Sequence, residues 1–125
     1  MKKNRILIAE DHEDNLALMR LMMERKGFEV FEASNGRVAL QIARDEHPEL
    51  ILLDLAMPEV NGWTVASELK SDPATQDIVI LAITAHAMPH ERESAIEAGC
   101  DGVMIKPFNI VDLMSKIEDL LKPST

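Results

Sequence analysis

Glu10 and Asp11 close the run "RILIAED", Asp54 closes "LILLD", Thr84 closes "IVILAIT" and Lys106 closes "GVMIK". Each apolar run thus ends in a side chain able to do chemistry. Carboxylates brought close together repel one another, so they take up protons or bind a cation. Oxygen donors alone favour a hard ion such as Mg2+, or Mn2+, which keeps part of its water shell and often bridges to a phosphate. A lysine beside them supplies a point positive charge for a phosphoryl oxygen, and a threonine supplies a short hydroxyl donor. These parts suit phosphoryl transfer, where catalysis is mostly positioning and charge neutralisation. One carboxylate can also be the nucleophile and carry the phosphate as an acyl phosphate.

The residues meet only if the apolar runs lie side by side. "RILIAE" (Arg5–Glu10) reads as a strand buried on both faces, "LILLD" as a buried strand, "IVILAIT" (Ile78–Thr84) as a strongly apolar one and "GVMI" as a short one. "FEVFEA" (Phe28–Ala33) alternates as a half-exposed strand does. Helical patterns separate and follow the strands. In "NLALMRLMMERKG" the stripe is Leu18, Met19, Met22 and Met23, and Gly27 is the stop. "GRVALQIARDEHP" ends at Pro48, "GWTVASELKS" precedes the loop "DPATQD", and "PHERESAIEAGC" runs from Pro89 to Gly99. The last helix, "NIVDLMSKIEDLLK", has Asn109 as N-cap and lines up Ile110, Leu113, Met114, Ile117 and Leu121. Five strands alternating with five helices predict a three-layer α/β fold, a doubly wound parallel sheet with right-handed crossovers. In such sheets ligands bind beyond the carboxyl ends of the strands. The second strand ends in Ala33, which carries no chemistry. Placing it outside the first makes the other strands neighbours, the flavodoxin-like (βα)5 order 2-1-3-4-5.

Composition excludes several classes. The chain has 125 residues, one domain by size, and 46% of them are hydrophobic. The net charge of −9 argues against direct nucleic-acid binding and against an anionic membrane surface. The apolar run near the start is too short for a signal peptide, and no stretch is long enough to span a membrane. One cysteine, Cys100, excludes an internal disulfide and fits a reducing, cytoplasmic setting.

Taken in order, the acidic pair of "IAEDHEDN", the Asp of "LLDLAMPEVNG", the Thr of "AITA" and the Lys-Pro of "MIKPF" resemble the CheY-like receiver domain of two-component response regulators. The resemblance covers essentially the whole chain, 1–125, as a single receiver domain with no output domain, most like stand-alone DivK-type receivers. It implies that Asp54 accepts a phosphoryl group from a phosphohistidine of a sensor histidine kinase or phosphotransfer protein. Asp11, Asp54 and the Ala56 backbone carbonyl would hold Mg2+ directly, with Glu10 acting through water. Lys106 would pair with the phosphoryl oxygen, Thr84 would move to bond it, and the Lys106–Pro107 peptide would be cis. The resemblance implies no catalytic turnover of an external substrate, but a domain that assists its own phosphorylation and dephosphorylation. Output would be contact with a downstream protein or relay of the phosphate to another histidine, the chain being a monomer or weak dimer. One position departs from the family. Three residues before Lys106, where a Phe or Tyr usually follows the threonine's movement, stands Val103. Ala56 and His86, two residues past Asp54 and Thr84, occupy positions that influence phosphate lifetime in the family.

Other readings compete. Asp54 alone would be a turn or cap residue; Asp11 and Lys106 displace that reading. His86 and His90 are four apart, but Pro89 lies between them and no Cys or third His is spaced to complete a zinc site. His12 rims the acidic pair, and Cys100 reads as a small core or turn residue. Leu21 lies off the first helix's stripe and Leu16 at its edge, leaving apolar surface on which the histidine phosphodonor could dock. In the fourth helix only Ala95 and Ile96 form an apolar stripe, fitting a solvated helix or a signalling surface. A haloacid-dehalogenase-type phosphatase would need a second acid where Ala56 stands. A flavodoxin would need a phosphate-binding loop where "EDHEDN" repels phosphate.

Overall fold

The computed structural model describes residues 4–55, 61–85, 89–106 and 108–121, with the backbone alone for 89–91. The elements run β1 (Arg5–Ala9), α1 (Glu13–Arg25), β2 (Glu29–Ala33), α2 (Gly36–Glu46), β3 (Leu50–Asp54), α3 (Gly62–Ser71), β4 (Val79–Thr84), α4 (Pro89–Glu97), β5 (Gly102–Ile105) and α5 (Ile110–Leu121). The sheet is parallel, in the expected order β2-β1-β3-β4-β5. Element ends shift by a residue or two from the sequence reading. No helix among the described residues is long and apolar enough to cross a membrane.

Strand alternation sorts the apolar residues into two cores. Ile6, Ile8, Leu50, Leu52, Leu81 and Ile83 face α1 and α5. Leu7, Ala9, Ile51, Leu53, Ile80 and Ala82 face α2, α3 and α4. All of Leu50 to Leu53 are fully buried. Removing a side chain of that size from water contributes roughly 1.5–3 kcal/mol, so the arm that ends in Asp54 is firmly anchored. Cys100 lies buried in the second core, and burial pushes its thiol up to about 12.

Asparagines start three of the helices that follow strands. Asn35 Oδ1 accepts from the Val38 amide at 2.9 Å, Asn61 Oδ1 from Thr64 at 3.0 Å and Asn109 Oδ1 from Asp112 at 2.8 Å. Gly27 follows α1 at φ 94°, where a left-handed turn lets the chain reverse into β2.

One part of the expected first-helix stripe is wrong. Met19 and Met23 are buried and Met22 packs against them, but Leu18 is 56% exposed. Consecutive helical residues differ by 100° of rotation, so a stripe centred on Met19 and Met23 turns Leu18 outward. Leu21 is exposed as expected, while Leu16 is half-buried against the core.

Gly62 ties α3 to the end of β3. Its amide donates to the Leu55 carbonyl at 3.2 Å. A Cβ there would meet Leu55 Cα at 2.6 Å and the Asp54 carbonyl oxygen at 2.8 Å. Both are backbone atoms at the very point where Asp54 is presented. Gly62→Ala is therefore expected to destabilise the fold by about 1–3 kcal/mol, as overpacking does. A urea midpoint equal to wild type would show that the β3–α3 junction yields freely.

Candidate functional site

The site lies at the carboxyl edge of the sheet, where register brings the strand ends level. Ala9 pairs with Leu53, Asp54 with Ile83, and Thr84 with Ile105. Glu10 and Lys106 each extend one residue beyond these rungs. Backbone bonds hold the rim: Glu10 N donates to Ala33 O at 3.0 Å, Leu55 N to Ile83 O at 3.1 Å and Lys106 N to Thr84 O at 2.8 Å. The edge is therefore stiff even though it lies past the regular ladder.

Glu10, Asp54 and Thr84 are buried, and Asp11 and Lys106 are half-buried. Lys106 Nζ donates to Glu10 Oε1 at 2.9 Å and stands 3.7 Å from Asp54 Oδ2. The lysine thus rests on Glu10 with Asp54 just beyond. Burial alone would raise the Glu10 carboxyl. Hydrogen bonding with Asp54, the bond and charge of Lys106, and Asn15 outweigh it and hold Glu10 below its ordinary value.

One ligand atom from each of Glu10, Asp11, His12 and Asp54 lies within 4.8 Å of the others. Two carboxylate oxygens here, Glu10 Oε2 and Asp11 Oδ1, are buried with no hydrogen-bond partner among the described residues. Buried acceptors left unpaired are costly, and a divalent cation would satisfy both. The residues fit a hard cation on that ground.

Of the residues singled out in the sequence, Glu10, Asp11, Asp54 and Lys106 converge. Thr84 reaches the same edge, but its place in the alternation of β4 follows Ile80 and Ala82 toward the α2–α4 side. Val103 pairs with Ala82 and packs in that second core. The Ala56 carbonyl, His86, the His90 side chain and the Lys106–Pro107 peptide lie outside the described residues. Sequence reading left His12 at the rim. It gave no role to Asn15 or Phe108, which with Glu10, Leu18, Met19, Met22 and Lys106 line a groove of about 330 Å³ between α1 and the start of α5. The i, i+3 and i+4 spacing of Asn15, Leu18, Met19 and Met22 was the available signal.

The chain belongs to the response regulator receiver domain family, whose pattern matches residues 6–118. It is a receiver domain of two-component signalling. The polar-differentiation response regulator DivK of Brucella ovis is 36% identical over 116 residues, 93% of this chain and 94% of that protein. The chemotaxis protein CheY4 of Vibrio cholerae shares the fold, with a TM-score of 0.91 at 23% identity over 96% of this chain and 100% of that one. The receiver domain of the sensor histidine kinase PA1611 of Pseudomonas aeruginosa, solved with magnesium in its active-site cleft, has a TM-score of 0.88 at 25% identity, covering 95% of this chain and 98% of that one.

The Lys106–Glu10 pair generates a pH-dependent expectation. A carboxyl held below its unfolded value contributes stability above that value, and the contribution is lost as pH falls through the folded one. Without Lys106, Glu10 loses one hydrogen bond and the nearby positive charge that favour its ionised form. Lys106→Met should cost about 1–3 kcal/mol at pH 7, the scale of an orphaned buried acceptor, and distinctly less near pH 4. Equal losses in urea unfolding at both pH values would show that Lys106 does not stabilise ionised Glu10.

Proposed function

We propose that Asp54 is the phosphoacceptor of this receiver and that the reaction depends on Mg2+ or Mn2+. The observation that carries the reading is the placement of Asp54. It is a buried carboxylate ending a fully buried strand, 3.7 Å from Lys106 and grouped with Glu10 and Asp11, whose buried oxygens lack partners among the described residues. An Asp54 oxygen attacks the phosphorus of a phosphohistidine, the N–P bond breaks, and its electron pair returns to the imidazole, leaving an aspartyl phosphate. Asp11, Asp54 and the Ala56 carbonyl would hold the cation, with Glu10 supporting it. The cation supplies charge neutralisation between carboxylate and phosphoryl oxygens. Lys106 is already at the edge to meet a phosphoryl oxygen, and Thr84 offers its hydroxyl from the neighbouring strand.

The phosphodonor is a sensor histidine kinase or histidine phosphotransfer protein. We place its docking on α1 beside the site. Leu18 and Leu21 are exposed there, and the groove between α1 and Phe108 opens onto Glu10 and Lys106. Apolar residues three apart on one helix present the kind of ridge a partner helix packs against. The phosphorylated domain signals by changed contact with a downstream protein. The negative surface fits that role better than nucleic-acid binding, and a cytoplasmic setting follows from the same reading.

Incubation with acetyl phosphate and Mg2+, followed by intact mass, should give a single phosphoryl adduct that is absent with chelator and absent in Asp54→Asn. An adduct that persists in Asp54→Asn moves the acceptor elsewhere. Leu18→Ser with Leu21→Ser should slow transfer from the cognate phosphohistidine donor about tenfold relative to labelling by acetyl phosphate, the scale of losing an interface anchor. An unchanged ratio removes α1 from the donor interface.

A further inference from the structure

His12 directly follows the acidic pair and occupies the N-cap position of α1. Residues at this position usually satisfy the free amides of the first helical turn through a side-chain oxygen. His12 makes no such capping bond. Its Nδ1 lies instead 3.4 Å from Asp11 Oδ1 and 3.8 Å from Glu10 Oε2. These are the two buried oxygens without hydrogen-bond partners among the described residues, and Glu10 itself is only 1% exposed. The imidazole nitrogen and the two orphaned oxygens thus face one another at close range.

Donor atoms about 2.0–2.2 Å from a common divalent ion stand roughly 3–4 Å apart around it. The His12 separations fall in that span, and the Asp54 ligand atom is within reach of all three. The ring is 70% exposed, so it can turn toward an ion without breaking a core contact. An imidazole changes which ion the set prefers. Three carboxylates suit Mg2+, whereas a nitrogen donor adds affinity for first-row transition ions such as Mn2+, Co2+ and Zn2+.

We propose that His12 Nδ1 is a further protein ligand of the divalent cation, so that this site takes a nitrogen-accepting transition ion in preference to Mg2+. The inference rests on the cation site proposed above. It gives His12 a part in setting which ion supports Asp54 chemistry.

Calorimetric titration of the full chain with Mg2+ and with Co2+, for wild type and His12→Gln, tests it, together with pulsed EPR of the Mn2+-loaded proteins. The ratio of Co2+ to Mg2+ affinity should fall at least tenfold in His12→Gln, and the imidazole nitrogen coupling to Mn2+ should disappear. An unchanged ratio, or a nitrogen coupling that survives the substitution, overturns the role of His12 while leaving the cation site in place. Absence of divalent-ion binding in both proteins overturns the cation site itself. Circular dichroism of His12→Gln should match wild type, because the substituted side chain packs in neither core.

Discussion

The contact between Lys106 and Glu10 closes the working edge of this molecule. The two residues are 96 positions apart in sequence, and their strands, β1 and β5, are separated in the sheet by β3 and β4. The pair therefore bridges the ends of the two intervening strands, and Asp54, which closes one of them, lies 3.7 Å from the lysine. Leaving a carboxylate as buried as Glu10 in an apolar surround would cost several kcal/mol without a partner. Lys106 offsets that cost, and it can do so only if all the intervening strands are in register. Sheet order and site electrostatics are thus one constraint.

The apolar runs make that constraint stiff. Strands buried on both faces cannot slip by one residue without exchanging their two cores. In β3 a slip would also turn Asp54 from the α1–α5 side toward the α2–α4 side. Just past Asp54, the lack of a Cβ at Gly62 lets α3 begin against the Leu55 backbone. The acid is thereby fixed from before by burial and from behind by close approach. Preorganisation of this kind is what phosphoryl transfer asks of a protein.

Much of this was legible in the sequence, for particular reasons. A strand buried on both faces writes itself as an unbroken apolar run, so the residue that ends each run marks the sheet edge. That is how Glu10, Asp54, Thr84 and Lys106 could be placed together before any coordinates. Less legible was anything set by helix rotation or side-chain direction. Leu18 sits beside apolar neighbours in sequence, yet its rotation about α1 turns it to solvent. His12 reads as a rim residue because a cap position says nothing about where a ring will turn. The resting of Lys106 on Glu10 depends on two residues each extending one step beyond the ladder, which no local pattern encodes.

The alternation that serves Asp54 also separates it from the route outward. Asp54, Glu10 and Lys106 continue the rows that pack on α1 and α5, whereas Thr84 continues the row of Ile80 and Ala82, beside Val103. A charge change at Asp54 that draws on Thr84 acts on the opposite core, the one α4 covers. Val103 fills its place with a small branched side chain, so no ring is there to swing as Thr84 shifts. Among the described side chains of α4, 92–97, Ala95 alone is buried, and Ile96 beside it is 53% exposed. An element that buries so little is cheap to displace. In the function proposed above, with Val103 in place of an aromatic, the low cost of moving α4 would be the means of turning a local change at Thr84 into a changed surface.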